Sequence, residues 1–277
     1  MNNTVQNNMA RKAYPLADFG INAPVSITGF EAGHAHQVFV PATKNTGYVF
    51  QKDLFRKLHA WLDDPRGEGF FLSGPTGSGK TSFMIEMAAR LNWPVIRVMG
   101  PKIREFSELE GQLKLKGDGL GGTLMEYVFG PLAEAMRHGF IFILDEMDQI
   151  PEHVSMALNE ILEGNAMTIF GDKLEVIDPH PNFRLFATGN TLGQGDDTGL
   201  YAGAIQQNLA FMDRFWVAEL GYPEEAVEEA ILTNACPKVP KEIRQKMVRV
   251  ANTIRNQFVG TGNEGATLTV TLSTRTL

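Results

Sequence analysis

Cysteine is nearly missing from this sequence: among 277 residues there is one, Cys236. A lone cysteine excludes an internal disulfide framework and fits a reducing compartment, so a cytoplasmic protein is expected. Cys236 itself reads as a small, partly buried side chain. Long apolar runs are missing as well. No stretch approaches the roughly 18 residues needed to cross a bilayer, and the start, Met1-Asn2-Asn3-Thr4, lacks the apolar segment of a secretory signal. No membrane partner is expected. Excess positive charge is the third absence. Lys and Arg total 25 against 32 Asp and Glu, a formal charge of −7. A protein that grips a phosphodiester backbone usually carries the opposite sign, so nucleic acid is not the expected partner. A local basic run, Lys238, Lys241, Arg244, Lys246 and Arg249, reads instead as the solvated face of a helix whose Ile243, Met247 and Val250 turn inward.

What is present is an ordinary globular composition, 43% hydrophobic and 21% charged, long enough for one sizeable α/β core and a smaller appended domain. Residues 1–50 are rich in Asn, Gly, Pro and Ala and read as a partly disordered tip followed by an extended arm. From Lys52 the pattern turns helical, with Leu54, Phe55, Leu58 and Leu62 on one face. Strands are expected at Phe70–Leu72, Pro94–Val98, Phe140–Leu144 and Phe183–Ala187. Helices are expected between them, including Thr81–Leu91, Leu132–Arg137 and Ser155–Leu162. Such alternation argues a parallel sheet covered on both faces. After Gly221-Tyr222-Pro223 the chain reads as helices only, Glu224–Asn234 and Lys241–Phe258. The expected division is an arm over 1–50, an α/β core over 51–220 and a helical domain over 221–277.

The residues that carry chemistry begin with Gly74-Pro75-Thr76-Gly77-Ser78-Gly79-Lys80-Thr81, which satisfies G-x-x-x-x-G-K-[ST]. Its place between a strand and a helix is the confirming context. Backbone N–H groups of such a loop, with the positive N-terminus of the next helix, cradle phosphates. Lys80 would meet the β- and γ-phosphates of ATP, and Thr81 would place its hydroxyl on Mg²⁺. A second element is the apolar run Phe140–Leu144 ending in Asp145 and Glu146. A buried strand would deliver these acids to the C-terminal sheet edge, where ligands bind. Asp145 is read as a metal-holding carboxylate and Glu146 as the group that polarises the attacking water. Asp148 reads as a surface carboxylate. At the end of the strand Phe183–Ala187, Asn190 is the candidate for the γ-phosphate or the attacking water, with Thr188 second. Arg214, flanked by Phe211 and Phe215, reads equally as a packed stem or as a finger reaching a neighbouring subunit.

Together these blocks resemble the AAA+ superfamily, its MoxR-like branch, and within that the ATPase subunit of aerobic cobalt chelatase (the CobS type). The resemblance rests on Leu91-Asn92-Trp93-Pro94, on Pro179-His180-Pro181, on the stretch from Asn190 through Gly195-Asp196-Asp197-Thr198-Gly199-Leu200-Tyr201, and on Met212-Asp213-Arg214. It implies an αβα P-loop sandwich followed by a small helical lid. It implies sensor-1 and arginine-finger roles for Asn190 and Arg214, and a sensor-2 role for Arg275 in binding ATP. The family's lid continues for a further helix past Ser273–Leu277, so a short or truncated lid is expected. Relatives of this type work as rings, typically hexamers, with a von Willebrand A-domain partner and, in the chelatase, a third large subunit. Residues 112–122 and 167–177 match the family's moving hairpin insertions. The histidine pair His34 and His36 lacks a third ligand and reads as loop. Three activities fit these residues: metal insertion driven by a partner subunit, remodelling of another protein complex, and, against the charge, a nucleic-acid motor.

Overall fold

The apolar runs at 70–72, 141–144 and 185–187 do not alternate with polar residues, as a strand requires when both its faces are covered. The computed structural model places them at the centre of a five-stranded sheet. It describes residues 9–42, 48–117, 119, 122–171, 173–195, 201, 203–259 and 271–274. In chain order the elements are β1 (Arg11–Pro15), β2 (Ser26–Phe30), α1 (Lys52–Asp63), β3 (Gly69–Ser73), α2 (Lys80–Arg90) and β4 (Val95–Met99). Then come α3 (Ser107–Glu110), β5 (Gly111–Gly117), β6 (Thr123–Phe129), α4 (Pro131–His138), β7 (Ile141–Asp145) and α5 (Glu152–Leu162). The remainder is β8 (Met167–Phe170), β9 (Leu174–Ile177), β10 (Arg184–Gly189), α6 (Leu209–Met212), β11 (Phe215–Glu219), α7 (Glu225–Ala235) and α8 (Lys241–Val259). Short 3₁₀ turns lie between some of them.

The sheet runs β11-β3-β10-β7-β4, every pair parallel. Its two faces bury two separate cores. Phe70, Leu72, Ile141, Ile143 and Phe186 point into one, with α1 and α2. Phe71, Phe142, Leu144, Leu185 and Ala187 point into the other, with α4 and α5. The period-two alternation that the bare apolar runs conceal therefore exists, split between two buried sides. Helix boundaries follow local chemistry. Helix α4 opens with Pro131 at its first turn and closes at Gly139, whose φ of 76° is left-handed. Helix α1 ends against Arg184, a buried guanidinium whose Nε donates to the Leu62 carbonyl at 3.0 Å and whose Nη1 donates to the Pro181 carbonyl at 2.9 Å. A cation there complements the helix C-terminus, although burial pulls its pKa down to about 10.

Residues 11–30 are not a plain extended arm. Strands β1 and β2 pair antiparallel, and Leu16, Phe19, Ile27 and Phe30 pack into the α1–α2 core. The join is tight. The Phe30 N–H donates to the Leu91 carbonyl at 2.8 Å, and a Cβ on Gly29 would stand 2.4 Å from that same oxygen. The hairpin expected over 167–177 forms, β8 with β9, whereas the one expected over 112–122 extends further: β5 pairs with β6, whose residues 123–129 lie beyond that range. Residues 118, 120, 121 and 172 lie outside the described set.

In the helical part, α7 packs on α8, but α8 turns a different face inward from the one its apolar residues suggest. Ile243 and Val250 are exposed, whereas Arg244, Val248, Ala251 and Arg255 are buried. Arg255 is drawn in by Glu228 of α7: its Nη1 and Nη2 each donate to the Glu228 carboxylate at 2.7 Å. Cys236, expected partly buried, is exposed at the end of α7.

Candidate active site

The C-terminal ends of β3, β7 and β10 lie side by side, so the glycine-rich loop, the acidic pair and the sensor candidates meet at one sheet edge. Gly77 and Gly79 adopt φ of 76° and 98°, a conformation that a Cβ disfavours. Gly79 is the N-cap of α2, and among the described residues no atom lies within 4 Å of where its Cβ would stand. Lys80 bends back over the loop. Its ammonium donates to the Gly74 carbonyl at 2.7 Å, the Pro75 carbonyl at 3.1 Å and Asn190 Oδ1 at 3.0 Å. Burial pulls its pKa down to about 8, against the pull of Asp148, Asp145 and Glu146 upward.

Asp145 is buried at the end of β7. Its Oδ1 accepts from the Thr81 hydroxyl at 2.7 Å and the Thr188 hydroxyl at 2.8 Å. Thr188 Oγ1 also accepts from the Glu146 N–H at 3.2 Å, so one hydroxyl fixes both acids. Glu146 itself sits at φ 55°, ψ 47°, a left-handed conformation that costs a non-glycine residue of order 1 kcal/mol or more and clusters at functional sites. Asp148 is not the surface carboxylate expected. It is 1% exposed, and its Oδ2 accepts from the N–H groups of Asn190 at 2.7 Å and Thr191 at 3.2 Å. It thereby sets the turn that aims Asn190 at Lys80. The spacing Asp145-Glu146-Met147-Asp148 was the available signal, since a 3₁₀ turn brings the third residue after the strand back under it.

Two cavities adjoin these groups. One, of about 250 Å³, is lined by Lys80, Thr81, Asp145, Glu146, Thr188 and Asn190. The other, of about 370 Å³, lies between the loop, Tyr48 and Val49 of the arm, and Pro223, Val227 and Ile231 of the helical part. Gly77, Gly79, Thr81, Ser82 and Arg97 border both. Arg97, projecting from β4, donates from Nε to Asp145 Oδ2. Sequence reading missed it because an Arg inside Val-Ile-Arg-Val looks like the solvated side of an edge strand.

Residues 271–274 lie against the loop. A Cβ on Gly77 would come within 2.2 Å of the Ser273 Cβ. Tyr222 donates to the Thr76 carbonyl at 2.9 Å and shares a 3.2 Å hydrogen bond with the Thr271 hydroxyl. Arg275 lies outside the described residues, as do 196–200 of the sensor region. Arg214 is elsewhere. Its carbonyl accepts from the Gly69 N–H at 3.0 Å, at the start of β3, and its guanidinium pairs with Glu163. That is the opposite end of the sheet from Lys80, about 16 Å away along five strand residues. The expected roles of Lys80, Thr81, Asp145, Glu146, Thr188 and Asn190 are thus compatible with a single site, and Arg214 stands apart from it. Among the described residues no helix is long and apolar enough to cross a membrane, and no group of three His, Cys, Asp or Glu is placed to hold a metal ion.

Residues 69–203 match the profile of the AAA domain (dynein-related subfamily), and residues 228–277 match that of the CbbQ/NirQ/NorQ C-terminal region. The chain is similar to the aerobic cobaltochelatase subunit CobS of Sinorhizobium sp, with 33% identity over 247 residues, covering 87% of this chain and 72% of that one. It is similar to protein NorQ of Paracoccus denitrificans, 31% identical over 204 residues, covering 74% of this chain and 68% of that one. A crystal structure from Cytophaga hutchinsonii described as an ATPase superposes with a TM-score of 0.51 at 20% identity, over 79% of this chain and 61% of that one. The last shows the fold alone.

Proposed function

This chain belongs to the MoxR-like AAA+ ATPases that include CobS, NorQ and CbbQ, and on that footing we propose that it hydrolyses ATP as an assembled ring and uses the cycle to remodel a partner complex. The observation that carries the reading is the convergence of Lys80, Thr81, Asp145, Thr188 and Asn190 on one cavity that shares Gly77, Gly79 and Arg97 with a second of about 370 Å³. Phosphates fit the smaller space against the loop and the N-terminus of α2, and a nucleoside fits the larger. The Thr81 hydroxyl and Asp145 carboxylate are the hard oxygen donors that suit Mg²⁺, and Asp145 already attracts a cation, Arg97. Bound there, the metal would neutralise charge on the phosphates.

The chain's own residues then divide the work. Lys80 exchanges its carbonyl contacts for phosphate oxygens. Glu146, held through its N–H by Thr188, orients the attacking water and accepts its proton. Asn190, aimed by Asp148, marks the γ-phosphate position. Arg214 is too far from this cradle to serve it, which supports a role at the site of the next protomer and a closed, hexameric ring. Arg275 is proposed to complete the nucleotide contacts from the lid.

Partner engagement is assigned to the two hairpins, whose Leu115, Met125, Phe170 and Leu174 are exposed apolar side chains. A von Willebrand A-domain protein and a large chelatase subunit are the partners to test first, because CobS is itself a cobaltochelatase subunit. The near-equal likeness to NorQ keeps a different protein client as the second reading.

Hydrolysis rate against protein concentration, for wild type and Arg214→Ala, tests the assembly. Specific activity is expected to rise with concentration and to fall by about 10³-fold in the variant while ATP still binds. Mixing Glu146→Gln with Arg214→Ala subunits should restore activity at sites pairing an intact Glu146 with an intact Arg214. A flat rate that ignores Arg214 would remove the ring mechanism.

A further inference from the structure

The cation on Asp145 has no part in the mechanism above. Asp145 is buried at the wall of the smaller cavity, and its Oδ1 is already taken by the hydroxyls of Thr81 and Thr188. Its Oδ2 is held by Arg97 Nε. Arg97 reaches it from the edge strand β4, where register sets Met99 opposite Asp145 and Arg97 two residues earlier, opposite Ile143. The Arg97 side chain is 47% exposed, and it borders both the phosphate-sized and the nucleoside-sized cavity. Only the Arg97 end of this pair is open to water, so an incoming cation can reach the contact from the cavity side without unsealing the core. The carboxylate beneath it is the one the proposed site offers to a divalent cation.

We propose that Arg97 is a placeholder for the metal. In the nucleotide-free protomer it neutralises Asp145, and Mg²⁺ arriving with nucleotide has to displace it. Arg97 is then a positioning residue with two effects of opposite sign. It competes with Mg²⁺ for Asp145, which weakens binding of the metal complex. It also supplies positive charge beside the phosphates, which favours nucleotide without metal. The ratio of the two affinities is the quantity that Arg97 sets. The inference rests on the ATPase reading of the site.

The test is equilibrium binding of a fluorescent ADP analogue to the full chain, once in EDTA and once in saturating Mg²⁺, for wild type, Arg97→Gln and Arg97→Lys. Arg97→Gln is expected to bind more weakly in EDTA and at least as tightly in Mg²⁺. The ratio Kd(EDTA)/Kd(Mg²⁺) should then rise about fivefold over wild type, the fold-change that corresponds to about 1 kcal/mol. Arg97→Lys should fall between the two. Ratios within twofold across all three proteins, with wild type binding nucleotide normally, would overturn the placeholder and leave the ATPase reading intact. If wild type binds the analogue under neither condition, the ATPase reading itself falls, and this inference with it. A variant that merely misfolds would lose both affinities together, without changing their ratio, and that outcome too counts against the proposal.

Discussion

Two regions of this protein each bury an acid against an arginine, and they do it in opposite ways. In the lid, Glu228 is wholly enclosed and Arg255 is 3% exposed. Arg255 Nε donates to the Leu272 carbonyl at 2.6 Å, Nη1 donates to Asn252 Oδ1 at 3.1 Å, and the Tyr222 ring lies 4.4 Å from the guanidinium. Thr274 adds a hydroxyl to Glu228 Oε1 at 2.8 Å. Little hydrogen-bonding capacity is left over. At the glycine-rich loop, Arg97 is half open to water, and Lys80 leans on two carbonyls and an amide oxygen, all uncharged. The lid pair is satisfied by the protein and holds residues 271–274 against the loop. Under the proposed function, Lys80 and Arg97 would give up these contacts to the phosphates of a bound nucleotide and its metal. A closed pair supports architecture, and an open one supports exchange.

The largest effect that would break this contrast is expected in the lid. Arg255→Met leaves Glu228 buried without a counter-ion, which should cost about 3–5 kcal/mol. Chemical denaturation with hydrogen-exchange readout over α7 and α8 measures it. The same experiment on Arg97→Gln should register a smaller loss, because Asp145 keeps the hydroxyls of Thr81 and Thr188 and the departing cation was already half exposed. If the two variants cost the same, the distinction between closed and open pairs is wrong.

A smaller effect concerns Lys80. Burial pulls its pKa from the ordinary 10.5 down to about 8, so the folded, nucleotide-free protein sheds this proton before the unfolded chain does. Between those values the unfolded state binds more protons, and stability should therefore rise with pH across that window. A phosphate beside Lys80 restores its charge. Nucleotide binding at pH 8 should accordingly take up about half a proton, and affinity should fall by up to about tenfold per pH unit above that. Calorimetric titration in buffers of differing ionisation enthalpy reads the uptake directly, and buffer-independent heats would show that Lys80 stays charged throughout.

The smallest effect sharpens the link between the two regions. Tyr222→Phe keeps the ring against Arg255 and removes only the hydroxyl that meets Thr76 and Thr271. A loss of about 0.5–1.5 kcal/mol is expected. It should appear in nucleotide affinity, with the denaturation midpoint of the rest of the chain nearly unmoved.

The amino-acid sequence by itself determined the parallel sheet, the helices that cover it, and the segments that meet at its C-terminal edge. These rest on short-range facts: glycines where φ must be positive, apolar runs ending in acids, helical spacing of buried residues. Tertiary structure decided what depends on charge meeting charge across the chain. Helix α8 turns Arg244 and Arg255 inward because Glu228 lies 27 residues away waiting for Arg255, and apolar periodicity, which assigns every arginine to the outside, pointed to Ile243 and Val250 instead. Asp148 is buried because two backbone N–H groups 42 and 43 residues later need an acceptor. Arg97 reaches Asp145 only because β4 pairs with β7 in one particular register. Local pattern determines which residues form a strand or helix, whereas the side of that element a charged group occupies is set by its partner, and only the folded chain brings that partner near.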